Sequence, residues 1–198
     1  ANAGEYTVSH FEDSFIQMVS DYVANGGSVI ACGLADYQDS TDCQTATEMN
    51  KLLAAIGSTI RVNSDEGYDE VNNGGQAYRL YLENYDASSE WLAGVVDGQQ
   101  YSAYSGCTVN VTGAVENDVV YAANALVTGF DTTYSIDCKT DDGAKVDGSP
   151  VYVEKGNVVE FAHQATKAGG NIFVSGTVFM SDFEVEAEID NNDSLPYM

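Results

Sequence analysis

The chain has 198 residues, 44% of them hydrophobic, with 31 acidic side chains against 7 basic ones and a formal net charge of −24. That hydrophobic fraction excludes wholesale disorder, and no apolar run nears the ~20 residues a helix needs to cross a bilayer. So acidic a surface repels phosphate backbones and anionic lipid, which excludes nucleic acid and membrane insertion as expected partners.

Ala1 to Ser9 reads as a lead-in, with Glu5-Tyr6-Thr7-Val8-Ser9 as its one strand-like run. His10 to Ala24 is predicted as a helix, because Phe15, Met18, Val19, Tyr22 and Val23 recur at helical spacing. Asn25-Gly26-Gly27 ends it with residues that tolerate positive φ. Ser28 to Cys32 is short, apolar and partly β-branched, as a strand covered on both faces would be. A second helix is expected from Thr45 to Ile56, with Met49, Leu52, Leu53 and Ile56 on one face and Gly57 as its cap. Ser58 to Val62 follows as a strand, and Asn63 to Gly75 as an acidic loop. Ala77 to Leu82 alternates as a strand, Asn84 to Leu92 forms a helical turn anchored by Trp91, and Cys107 to Val111 is a strand.

Val115 to Leu126 fits helix and strand equally. Tyr134 to Ile136 and Val151 to Glu154 read as strands around the hydrophilic excursion Asp137 to Pro150. Asn157 to Lys167 reads as a helix that ends at Gly169-Gly170, before a buried strand at Asn171 to Ser175. Gly26-Gly27 and Gly169-Gly170 therefore repeat one device: a helix, paired glycines, a short apolar strand. The expectation is a single α/β domain over 1–198, with a β-rich insertion around 63–155.

Four cysteines occur, Cys32, Cys43, Cys107 and Cys138, with no C-x-x-C pair and only His10 and His163 as histidines. Zinc is not expected from that set. Cys32 and Cys107 lie in apolar runs as buried thiols; Cys43 and Cys138 lie in polar loops and can pair in an oxidising compartment. The pairing is not fixed by the sequence.

The two glycine units, in their order, resemble the class I glutamine amidotransferase-like superfamily. The late unit is Gly169-Gly170-Asn171-Ile172-Phe173-Val174-Ser175-Gly176 followed by Met180-Ser181-Asp182-Phe183-Glu184, and Leu126-Val127-Thr128-Gly129-Phe130-Asp131 is similar to the stretch before the central strands. The resemblance implies a flavodoxin-like three-layer core. It also places Cys32 where catalytic members carry their nucleophile. That chemistry needs a tight elbow with small flanking residues and a histidine base. Here the flanks are Ile30 and Leu34, no histidine follows the late strand, and His163 precedes it. A non-catalytic member is expected. Segments such as Gly74 to Asp86 and Gly129 to Asp137 also look like parts of large secreted proteins of Gram-positive bacteria.

In open α/β sheets ligands bind at the carboxyl ends of strands. Asp36, Tyr37, Gln38 and Asp39 follow the first strand and read first as a polar loop packed over the sheet edge and second as the lining of a ligand cleft with Tyr101 and Tyr104. Tyrosines with amides and carboxylates suit sugars, by stacking and hydrogen bonding. Asp137, Asp141, Asp142 and Asp147 form an acidic loop without EF-hand spacing, since Lys139 holds its third position. It reads first as a solvated turn and second as a calcium site, as do Asp65, Glu66, Asp69 and Glu70.

The expected function is that of a non-catalytic structural or ligand-binding accessory module of an exported, multidomain bacterial surface protein. Its cofactor set is none, with calcium as the cation it would take. Its partners are neighbouring domains of the same polypeptide, and a glycan or small molecule. The alternatives are a hydrolase or amidotransferase using Cys32, and a calcium- or glycan-binding adhesion module.

Overall fold

The structure is a computed structural model and describes residues 10–35, 44–112, 121–137 and 151–180. Their elements run α1 (Asp13–Ala24), β1 (Val29–Cys32), α2 (Gln44–Ala55), β2 (Arg61–Val62), β3 (Asp65–Tyr68), β4 (Arg79–Leu82) and β5 (Asn84–Tyr85). A 3-10 turn at Glu90–Leu92 follows, then β6 (Tyr101–Tyr104), β7 (Val109–Asn110), β8 (Asn124–Thr128), β9 (Tyr134–Asp137), β10 (Val151–Val153), β11 (Val159–Ala165) and β12 (Asn171–Ser175).

Both helices end as their glycines dictate. Gly26 has φ +89°, its N–H bonds Val23 O, and Gly27 N–H reaches back to Tyr22 O. Gly57, at φ +79°, repeats this with Ala54 O, and Ser58 N–H bonds Leu53 O. Both are Schellman closures, which satisfy carbonyls that the helix leaves open. On α1, Val23 is buried, and Ile16 and Val19 pack toward the core. Phe15, Met18 and Tyr22 are exposed. The helix thus carries two adjacent apolar stripes, one turned in and one turned out.

The main sheet has the order β1-β12-β11-β8-β5. Only β1 and β12 run parallel; the other neighbours are antiparallel. Successive residues of a strand face opposite sides, and the two sides meet different partners. Ala162, Ile172 and Val174 join Val23, Leu52, Leu53, Ile56 and Ile60 under the helices. Phe161 and Leu126 join Leu80, Leu82, Tyr101 and Phe179 under the β4–β6 pair. Fully buried leucines such as Leu53 and Leu80 each contribute ~2 kcal/mol by removal from water.

This arrangement corrects the flavodoxin-like, three-layer α/β expectation. Such a core needs a parallel sheet with helices on both faces. Here strands predominate, the main sheet is largely antiparallel, and neither helix contributes to the second core. The misreading lies at 157–167. That segment is β11, whose inner five residues are all buried, so it shows no alternation that would mark it as strand. Gly169-Gly170 accordingly makes a hairpin turn, closed by Thr166 N–H to Gly170 O and Gly169 N–H to Thr166 O. The two glycine pairs do share one place in the fold. A Cβ on Gly170 would overlap the Gly27 carbonyl oxygen, because β1 and β12 begin side by side there.

Candidate functional site

Cys32 ends β1 opposite Ser175. The backbone runs on from it without an elbow: Gly33 N–H bonds Ser175 O at 2.7 Å and Ala35 N–H bonds Ser105 O at 3.0 Å. Burial pushes the Cys32 thiol up to about 11. His163, on β11, lies across β12 from Ile30 rather than from Cys32. Its Nε2 lies 2.9 Å from Asn171 Oδ1, within hydrogen-bonding distance. Neither Cys32 nor Cys107 is in a disulfide among the described residues; Cys43 and Cys138 lie outside the described residues.

Asp36, Tyr37, Gln38 and Asp39 also lie outside the described residues. Tyr101 is fully buried, stacked on Phe161 and hydrogen-bonded through its hydroxyl to Ser175 Oγ. Tyr104 packs edge-on against Tyr78, with the Arg79 guanidinium 4.8 Å above its ring. The structure uses both tyrosines as packing groups.

Of the acidic loop, Asp137 closes β9 opposite Asp65, while Asp141, Asp142 and Asp147 lie outside the described residues. The Asp69 carboxylate is the hub of a turn. It accepts Val71 and Asn72 N–H at 2.8 Å each, Thr132 Oγ1 at 2.7 Å and Thr133 Oγ1 at 2.8 Å. Burial alone would raise it, but those four bonds outweigh burial and hold it below its ordinary value. Asp65 accepts the Thr108 N–H and hydroxyl, and Glu70 accepts the Tyr134 hydroxyl. Among the described residues no group of three or more histidine, cysteine or acidic side chains is placed to hold a metal ion.

Glu160 is the most unusual of the acids. It is the extra residue where β11 slips one place against β8, between Val159 opposite Thr128 and Phe161 opposite Val127. Such a bulge re-aims its side chain. The carboxyl is fully buried, and among the described residues neither oxygen has a hydrogen-bond partner. It fits only because Gly67 and Gly176 lack side chains: a Cβ would lie 2.9 Å from Oε1 at the first and 2.6 Å from Oε2 at the second. Burial first, and the neighbouring Asp65 second, push it well above the usual carboxylate range.

The open site lies elsewhere, beside β8. The turn after β5 carries Asp86, Ser88, Ser89 and Glu90 away from the sheet and leaves a cleft of ≈370 Å³ against Asn124, Leu126 and His163. Trp91 forms one wall and is 46% exposed, although it is firmly seated. Its ring meets Phe173 edge-on at 5.1 Å and His163 at 5.2 Å. Asp86 Oδ1 accepts the N–H and hydroxyl of Ser88 at 3.0 and 2.6 Å, fixing the turn and holding this carboxyl below its ordinary value. Asp86 Oδ2, the Glu90 carboxylate and Asn124 Oδ1 have no partner among the described residues. A larger cleft of ≈450 Å³ lies between the helix ends and the β11–β12 turn. There Gln164 is already engaged by Ser58, Thr59 and Tyr121, so its main polar side chain is satisfied internally.

The sequence reading placed Trp91 as the anchor of a helical turn. Leu92 is the buried member of that turn and Trp91 the half-open one. The signal available in the sequence is a lone tryptophan directly after the polar run Asp86 to Glu90.

No family model matches the chain, and no curated protein matches it. Among solved structures it is similar to one described as "mmIFT52 N-terminal domain", with a TM-score of 0.60 and 14% identity over 96% of this chain and 69% of that one. At that identity the likeness shows the fold alone. It corrects the family expectation: the structural similarity found is to this β-rich domain and not to a glutamine amidotransferase.

Proposed function

We propose that this chain is a non-catalytic, ligand-binding module of a larger exported polypeptide, and that the Trp91 cleft is where it binds. The observation that carries the reading is a half-exposed tryptophan, seated on His163 and Phe173, facing a polar turn across a cleft. Ligand sites combine an aromatic wall with a few polar groups that fix orientation, and large aromatic side chains left open at a surface mark contacts. Against a cysteine enzyme stand the raised Cys32 thiol and the engagement of His163 with Asn171. The open stripe of Phe15, Met18 and Tyr22 on α1 supports a place beside neighbouring domains of the same polypeptide.

Trp91 is the single tryptophan of the chain, so its fluorescence reports the cleft directly. Emission is measured while neutral saccharides and organic cations are added to millimolar concentration. At least one class is expected to shift or quench it saturably. The same probe is expected to raise the melting temperature of the wild type and not of Trp91→Ala. Unchanged emission with every probe refutes the reading.

A further inference from the structure

We infer that the Trp91 cleft selects an organic cation, an ammonium or guanidinium group, over a neutral saccharide. The inference rests on the cleft being the binding site. Three observations give the ligand its chemistry. First, the groups left open are mostly acceptors: Asp86 Oδ2, the Glu90 carboxylate and Asn124 Oδ1, whose own Nδ2 is bonded to Ala122 O at 3.1 Å, with the Ser89 hydroxyl able to accept as well as donate. A site of acceptors takes a ligand of donors. Second, two carboxylates line the cleft and no lysine or arginine does. An anion is therefore repelled, and a cation gains attraction that a neutral hydroxyl does not. Third, Trp91 presents an indole ring to the same space, and tryptophan is the aromatic side chain that best holds a cation by its quadrupole. A saccharide can meet the acceptors and stack on the indole, but it gains nothing from the charge of the two carboxylates; a positively charged N–H group satisfies all three.

Two sources carry that chemistry, a free polyamine and a basic side chain on a peptide. Three probes separate the cases: spermidine, Nα-acetyl-arginine amide and cellobiose, each titrated against Trp91 emission at low salt. The comparison protein is the double variant Asp86→Asn, Glu90→Gln. Asparagine keeps the acceptor that fixes the Ser88 turn, and Glu90 is exposed, so the variant is expected to fold with an unchanged circular dichroism spectrum. The variant removes only two of 31 acids, so binding driven by overall charge will scarcely change. Loss of one half-open and one exposed ion pair is expected to weaken a cleft-bound cation by up to about tenfold, and raising the salt to ~0.3 M is expected to weaken it further by screening.

Saturable binding of spermidine or of the arginine amide, weakened in the double variant, supports the inference and names the source. Binding of cellobiose that is as tight in the variant as in the wild type overturns it, while leaving the cleft as the binding site. Cations that bind both proteins alike also overturn it. If no probe reaches Trp91, both this inference and the proposed function fall.

Discussion

Glu160→Gln isolates the buried carboxyl in the β11 bulge. Glutamine keeps the shape and cannot ionise. Because the folded group is raised above its ordinary value of 4.5, the folded chain keeps a proton that the unfolded chain releases as pH rises. The folded state then binds more protons, so stability falls with increasing pH above 4.5. Below 4.5 both states are protonated and the group is silent. One proton of difference changes stability by about 1.4 kcal/mol per pH unit. The loss accumulates from 4.5 up to the raised folded value, and each unit of it is a large share of the roughly 5–15 kcal/mol that holds a typical domain together. The assay is urea unfolding of both proteins at pH 5, 6, 7 and 8. Glu160→Gln is expected to match the wild type most nearly at pH 5 and to gain on it by up to about 1.4 kcal/mol per pH unit above that, until the pH passes the folded value. Comparing the pair cancels the titration of the other acids. A difference that stays constant from pH 5 to 8 would show that Glu160 is ionised in the fold, and the reasoning from burial would fail.

Gly170→Ala pushes a methyl into the Gly27 carbonyl where β1 and β12 begin. It is expected to lower stability by about 1–3 kcal/mol, and an unchanged urea midpoint would contradict the packing described. Asp69→Ala leaves two backbone N–H groups and two threonine hydroxyls without their shared acceptor, for an expected loss of about 2 kcal/mol at pH 7. Because the folded Asp69 lies below its ordinary value of 3.8, its contribution is present above that value and lost as pH falls through the folded one; the variant and wild type should converge under acid, and a gap that persists at low pH argues otherwise. At pH 7 Cys32 is expected to react with iodoacetamide about a hundredfold more slowly than a thiol of 9.0, since its thiolate fraction falls by two decades. Peptide mapping that finds Cys32 alkylated as fast in the folded protein as in urea would restore it as a candidate nucleophile.

Local chemistry decided the helices, their ends and most short strands, and these were legible. The apolar spacing of α1 and α2, with glycine after each, leaves one reading, because positive φ and helix closure are properties of a few adjacent residues. The strand at Ser28 to Cys32 and the one at Asn171 to Ser175 were likewise marked by composition, and they do lie side by side in one sheet. What surrounds a segment was not legible. Residues 157–167 became β11 because both its neighbours and both its faces are protein, and a strand buried on all sides carries no alternation to read. The direction of the sheet, the glycine slot around Glu160 and the cleft beneath Trp91 each depend on residues more than 30 positions apart meeting in space. Periodicity reports which side of a segment is apolar; only tertiary contact decides what that side faces, and so which charges are buried and which aromatic ring is left open.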